Sequence, residues 1–350
     1  MAEPSQSAQA SLDAPLTAEP DGWDDNDSSI DVTSLASSTT SITDTIRKHR
    51  EENGRTYHKY KEEMQLTPFW FKTSITWEQI EQDRLDLQHQ MFYITFGEKL
   101  FLSPAGQNQQ LHRVLDAGTG TGIWAIDFGK SSTDEHPETE VLGIDLSPIQ
   151  PSFIPANLAF QIDDLEENWN FSSKFDFIYT RMLTGSFTNW PRFFEQSFAN
   201  LNPGGYIELA DSCFPMRTDD NSFPPDSALK KWCDLLTEGC AAAGRPIDSA
   251  KHYKSQLEAA GFENVVEVQY RWPMGRWPKD KKAKELGTWG LANVYGGLES
   301  ICLAVFTRVL GWTKEEIDVF LIDVRKELKD PKIHSYGPIY VVYGQKPVEK

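Results

Sequence analysis

The chain has 350 residues, 39% of them hydrophobic and 12% aromatic, enough to bury a sizeable core as one large domain or two small ones. Its net charge is −18, and half of that excess falls before Arg47, where nine carboxylates occur without a single Lys or Arg. So acidic a chain excludes broad contact with nucleic acid, whose affinity rests on neutralised phosphates, and Cys213, Cys233, Cys240 and Cys302 lack the number and spacing for a disulfide framework or a structural zinc site.

Residues 1–46 are rich in Ser, Thr, Asp, Ala and Pro and poor in large apolar side chains. Such a segment cannot bury enough surface to offset its ordering entropy, so a disordered acidic tail is expected there. No basic stretch leads into an apolar one at the N-terminus, and no run approaches the ~18–20 apolar residues that span a bilayer. A protein of the cytosol or the nucleus, without a membrane span or a nucleic-acid partner, is expected. The four cysteines are expected to be buried, reduced thiols, with Cys233 and Cys240 on one helix.

From about residue 47 to 110 the chain is expected to form a helical cap. Its clearest part is Thr76–Leu102, with apolar residues at Ile80, Leu85, Leu87, Met91, Phe92 and Ile94 in loose helical spacing. The pattern then alternates. Strands are predicted at Val114-Leu115, Val141–Ile144, Leu158–Ile162 and Phe175–Tyr179, with a helix over Thr121–Lys130. A second helix over Pro191–Leu201 is stopped by Asn202-Pro203-Gly204-Gly205, which turns into a strand at Tyr206–Leu209. This alternation predicts a parallel sheet covered on both faces. Helices around Ser227–Ala243 and Lys251–Ala260 precede a strand at Phe262–Tyr270. A helical insertion over 272–335 contains Ile317, Phe320, Leu321, Val324 and Leu328 on one helical face, and Ile339–Tyr343 closes the chain within a last segment, 336–350. The predicted fold is therefore α/β: a Rossmann-like, seven-stranded, mostly parallel sheet with an N-terminal helical cap. One cofactor-binding core, 111–271, carries helical insertions at about 212–250 and at 272–335.

The segment that carries chemistry is Val114-Leu115-Asp116-Ala117-Gly118-Thr119-Gly120-Thr121-Gly122, a strand running into alternating glycines and then directly into a helix. Glycines permit a tight turn and a close ligand, and the helix N-terminus offers unpaired N–H groups. Asp145, at the end of the second core strand, is placed to accept from both hydroxyls of a ribose. A nicotinamide site predicts G-x-G-x-x-G, whereas here the third glycine comes one residue early, and Asp116 would repel a pyrophosphate. An acid there suits a ligand with a cationic amine. S-adenosylmethionine has that amine and a ribose, and no phosphate.

These residues resemble the class I S-adenosylmethionine-dependent methyltransferases. Asp116–Gly122, with Gly118, Thr119 and Gly120, is similar to their first motif. Asp145 matches the ribose-binding acid, Asp163 the acid that meets the adenine amino group, and Leu201–Gly205 the turn before their fifth strand; Leu146 and Asp164, next to the two acids, are further cofactor-binding candidates. The resemblance implies that the last strand is antiparallel. Tyr57-His58-Lys59-Tyr60, Glu81–Asp86, Gly120–Asp127, Asp145–Pro151 and Phe175–Leu183 further resemble the LaeA-like fungal methyltransferases, from about Glu52 nearly to the C-terminus. That likeness implies either a methyltransferase of fungal metabolites or a regulator of secondary metabolism and development. The fourth core strand ends Tyr179-Thr180-Arg181 where enzymes of the Asn-Pro-Pro-Tyr type carry that tetrapeptide, which argues against methylation of nucleobase amines.

On the physical side, Arg84 is placed to pair the cofactor carboxylate, Tyr57 to close over it, and Arg181 to face it. Glu208 is a candidate base, and Trp289 and Tyr295 are candidate walls of an acceptor pocket. His89 and His252 read as ordinary helix residues, and no metal is expected. A small-molecule acceptor is the leading expectation; a regulatory protein working through protein partners, in a complex or a dimer, is the alternative.

Overall fold

The computed structural model describes residues 16–18, 49–52, 55–58, 75–107, 109–135 and 138–348. Among these, two sheets form. A hairpin pairs β1 (His49–Glu52) with β2 (Arg55–His58), and a seven-stranded sheet makes the core. In chain order the large sheet uses β3 (Arg113–Ala117), β4 (Glu140–Asp145), β5 (Leu158–Ile162), β6 (Phe175–Arg181), β7 (Leu201–Ser212), β8 (Glu263–Pro273) and β9 (Tyr336–Gln345). In space the order is β5-β4-β3-β6-β7-β9-β8. The first five strands pair in parallel, and β9 runs antiparallel to both β7 and β8, as the sequence led us to expect for the last strand. The strand order reverses beside β3, so the chain leaves β3 and β6 in opposite directions across the sheet. That switch point, at the carboxyl ends of the strands, is where ligands sit in open α/β folds.

Both faces of the sheet are covered. On one face, α3 (Trp190–Asn200) and α5 (Tyr253–Ala259) bury Phe193, Phe194, Tyr253 and Leu257 against Ile178, Ile207, Leu209 and Val342. The other carries α1 (Ile75–Thr95) and α2 (Ile123–Glu135), and α2 stacks Trp124 on Tyr179 with ring centroids 4.0 Å apart. A further cluster joins α1 and β9 to α4 (Ala228–Ala242), α6 (Lys281–Arg308) and α7 (Lys314–Leu328). Its centre is Trp232, Leu236, Leu298, Phe306, Leu321 and Val341, all fully enclosed. Burying an aliphatic side chain of this size is worth roughly 1.5–3 kcal/mol, so the inserted helices belong to the core.

Several expectations need correction. The turn Asn202–Gly205 does not precede its strand. It is taken into β7, which begins at Leu201, and the register shifts between Phe175 and Phe177 to absorb it. The helix expected over Lys251–Ala260 splits into a 3₁₀ turn, Ser249–His252, and α5. Against the expectation of no run long enough to span a bilayer, α6 spans 28 residues and is long and apolar enough to cross a membrane by length and composition. Most of its apolar residues, among them Leu286, Val294, Leu298, Ile301 and Phe306, are instead buried in the core. It passes so close to the end of β8 that a Cβ on Gly287 would lie 1.9 Å from the Gly275 carbonyl oxygen, so only glycine fits there. The expected disordered tail, 1–46, falls almost wholly outside the described residues. Its described segment, 16–18, is ordered by pairing: Ala18 bridges Pro278 antiparallel, and Lys279 N–H donates to Thr17 O at 2.8 Å. The four cysteines are buried and unbridged, and burial pushes Cys233 and Cys240 up to about 12.

Candidate active site

The site is assembled from the carboxyl ends of β3, β4, β5 and β6. β3 ends at Ala117, and Gly118, Gly120 and Gly122 all take positive φ (+77°, +57° and +81°) before α2 begins. At Gly118 a Cβ would also lie 2.4 Å from Leu183 Cδ2, so that side chain would have to move as well. The turn is pinned to the next strand, with Gly118 N–H and Thr119 N–H both donating to Ile144 O at 2.8 and 2.9 Å.

Asp116 is 3% exposed and accepts from Thr119 Oγ1 at 2.5 Å. Burial pushes its carboxyl up to about 6, against the opposing pull of the Thr119 bond and the Arg181 charge. Asp145 accepts from Gly120 N–H and from Ser147 N–H, both at 2.9 Å, so its carboxylate faces the glycine turn. Asp163 N–H donates to Asp145 O at 3.2 Å, which holds the third acid beside the second. Asp164 N–H donates back to Asp163 Oδ1, and Asp164 in turn accepts from Glu166 N–H. Leu146 and Ile162, next in sequence to Asp145 and Asp163, leave 37% and 42% of their surface exposed. The structure thus brings together Asp116, Gly118, Thr119, Gly120, Asp145, Leu146, Asp163, Asp164 and Arg181.

The helical cap closes on this edge. Leu85 lies 3.6 Å from where a Cβ on Gly120 would stand, and Asp86 accepts from Thr121 Oγ1 at 2.8 Å. Arg84 itself points elsewhere. It is buried, pairs with Glu81 at 2.5 and 2.8 Å, and donates to Asn293 Oδ1 of α6 at 2.9 Å, where Gln88 Nε2 also donates at 3.1 Å. It therefore fastens α1 to α6. Tyr57 lies in β2, and its side chain is outside the described residues.

Two acceptor-side expectations fail. Glu208 is not placed as a base. It is fully buried and accepts from Leu102 N–H at 2.9 Å and Ser103 N–H at 2.6 Å, so its carboxylate ties down the loop after α1. Tyr295 is turned to α7, with Lys329 Nζ 4.1 Å from its ring centroid, because it lies two residues from Asn293 and so on another side of α6. Trp289 packs against the core cluster of α1, α4 and α6. Asp211 is buried as well, accepting from Tyr253 Oη and Thr184 N–H.

A residue read as ordinary turns out to be central. His89 is 5% exposed; its Nε2 lies 3.1 Å from Asp127 Oδ2 and its Nδ1 3.1 Å from Arg181 Nη1. The signal available in the sequence was helical spacing: Leu85, His89 and Phe92 fall on one face of α1, the face against the glycine turn. Among the described residues, no group of three or more His, Cys, Asp or Glu side chains could hold a metal ion.

Comparison with known proteins agrees with this geometry. Residues 87–267 match the family model described as "Methyltransferase domain". The chain is 37% identical to "Methyltransferase pytC" of Aspergillus terreus, over 89% of this chain and 92% of that protein. It is 37% identical to "Probable methyltransferase tdiE" of Emericella nidulans, over 79% and 85% of the two chains. "Protein-methionine methyltransferase laeA" of the same organism is 34% identical over 85% of this chain and 76% of its own length. A buried acid before a glycine turn, acids at the two following strand ends and relatives matched along most of their length converge: the chain belongs to the methyltransferase-domain family, in its LaeA-like group of S-adenosylmethionine-dependent fungal enzymes.

Proposed function

We propose that this enzyme methylates a small-molecule acceptor of secondary metabolism, with the cofactor held by Asp116, Gly118, Thr119, Gly120, Asp145, Leu146, Asp163, Asp164 and Arg181. The residues suit S-adenosylmethionine. Asp116 and Asp145 offer carboxylates to an amine and to ribose hydroxyls, Leu146 and Ile162 offer exposed apolar surface to an adenine ring, and the turn admits close approach because it lacks Cβ atoms. When bound, the cofactor supplies an already activated methyl group.

The chain's own task is then to position an acceptor and exclude water. The observation that carries the small-molecule reading is the join between α1 and α6, where Arg84, Gln88 and Asn293 form a buried polar contact that fixes α1, whose Leu85 lies against the glycine turn. An edge with a fixed helix beside the turn suits a compact acceptor, whereas a protein tail needs an open groove. The likeness to laeA favours the alternative, a regulator acting on or through protein partners.

Purified protein offered labelled S-adenosylmethionine, with panels of fungal metabolites and of protein extracts, separates the two. Label in small products supports the proposal, and label in protein alone overturns it. We also propose a cytosolic or nuclear location, checked by imaging of the tagged chain.

A further inference from the structure

We propose that His89 and Asp127 form a relay that aims Arg181 at the carboxylate of the bound amino-acid moiety, making His89 a positioning residue for cofactor recognition. The inference rests on the cofactor reading above and adds two residues, from α1 and α2, to those proposed to hold the cofactor.

A guanidinium only donates, so the 3.1 Å contact from Arg181 Nη1 makes His89 Nδ1 the acceptor. That fixes the proton on Nε2, which donates to Asp127 Oδ2 at 3.1 Å. The ring is thereby held as one neutral tautomer, and burial favours the same state by lowering its pKa. Asp127, in turn, is held charged, its pKa lowered first by the His89 hydrogen bond and further by Lys130 beside it.

The consequence falls on Arg181. Its guanidinium is anchored on one side by His89 and lies over the Phe92 ring, 5.3 Å from the centroid. It is close enough to Asp116 and Asp86 for its charge to oppose the upward push that burial gives both carboxyls. A long cation that would otherwise sample many rotamers is fixed at the end of β6, next to the acid expected to meet the amine. An α-amino acid group presents a cation and an anion on adjacent atoms. Asp116 and the anchored Arg181 offer the matching pair of opposite charge.

The relay makes a prediction that a merely structural histidine does not. S-adenosylhomocysteine carries the carboxylate; 5′-methylthioadenosine keeps the adenosine and thioether and lacks it. His89→Gln keeps a donor toward Asp127 and loses the acceptor for Arg181, whereas His89→Asn keeps an acceptor near the Nδ1 position. Asp127→Asn leaves both ring contacts in reach but allows the wrong tautomer, with a proton on Nδ1 facing the guanidinium. Calorimetry on the full chain is expected to show His89→Gln and Asp127→Asn weakening S-adenosylhomocysteine at least tenfold, with methylthioadenosine within twofold of wild type. His89→Asn is expected to stay within about threefold of wild type for both ligands. Asp127 is on the surface side of the contact, so its variant tests the relay even if a His89 variant fails to fold. Equal weakening of both ligands, or no weakening of either, overturns the relay while leaving the cofactor reading intact. A wild-type chain that binds neither ligand overturns both.

Discussion

Replacing Glu208 by Gln separates a structural acid from a catalytic one. The Glu208 carboxylate is fully enclosed and satisfies two backbone N–H groups, those of Leu102 and Ser103, with contacts of 2.6–2.9 Å. A glutamine oxygen in the place of Oε2 still accepts from both donors, but the amide NH2 that replaces Oε1 then faces the Leu102 N–H, at a cost of about 1–3 kcal/mol. The pH dependence gives a sharper test. Burial pushes the carboxyl from 4.5 up to about 7, so between those values the folded chain holds a proton that the unfolded chain has released. Stability from this group is fully present below about pH 4.5 and is lost as pH rises through about 7. Between pH 5.5 and 8.0 that loss amounts to about 2 kcal/mol at 1.36 kcal/mol per unit. Chemical denaturation of both chains at the two pH values should show wild type losing about 2 kcal/mol more than Glu208→Gln on going to pH 8.0, because Asp116 and Asp211 titrate in both. The variant should retain methyl transfer under conditions where it is folded. Identical pH profiles, together with lost transfer in a chain of unchanged stability, would refute the reasoning and return Glu208 to the acceptor site.

Asp145→Ala should weaken S-adenosylmethionine by about 1.5–3 kcal/mol, the worth of a charge-assisted acceptor, read by calorimetry; an unchanged Kd would mean that Asp145 does not meet the ribose. Arg84→Ala should lower unfolding stability by about 2 kcal/mol, because it leaves Glu81 without its cation and Asn293 Oδ1 with Gln88 as its remaining donor at the join of α1 and α6, and denaturation with and without S-adenosylhomocysteine measures both the loss and its effect on binding. Removing residues 1–46 should cost no more than about 1 kcal/mol, the value of the backbone hydrogen bond between Lys279 and Thr17; a drop of several degrees in Tm would show that the tail contributes more than its pairing at 16–18.

The parts of the site that could be read in the sequence are those whose partners are near in sequence. Asp116 and Thr119 are three residues apart and bonded to each other, and Asp145 reaches Gly120 through the regular spacing of a strand, a helix and a strand. The residues misread or passed over meet partners far along the chain. Arg181 finds His89 across 92 residues, Glu208 finds Leu102 across 106, and Arg84 finds Asn293 across 209. Periodicity places such a side chain on a face and leaves open what the face meets. Tyr295 shows the limit well, since an aromatic residue in the insertion looked like a pocket wall, and its position two residues from Asn293 turns it to Lys329 instead.

Buried acids pose the same problem at close range, and their hydrogen bonds separate them where their titration does not. Asp116, Glu208 and Asp211 are all enclosed, and burial pushes all three up, to about 6, 7 and 6. Perturbed acids gather at functional sites, but structural networks perturb them equally. Glu208 spends its carboxylate on two backbone donors, and Asp211 divides its own between Tyr253 and Thr184. Both acids have completed their chemistry within the fold, and both sit in the strand that supports the edge. Asp116 accepts a bond from Thr119, which belongs to the turn it precedes, and Arg181 and Asp145 act on it through charge. It stands at the carboxyl end of β3, directly before three glycines of positive φ. Of three acids alike in burial and in direction of shift, the one at the topological switch point is the one we propose meets the cofactor's amine.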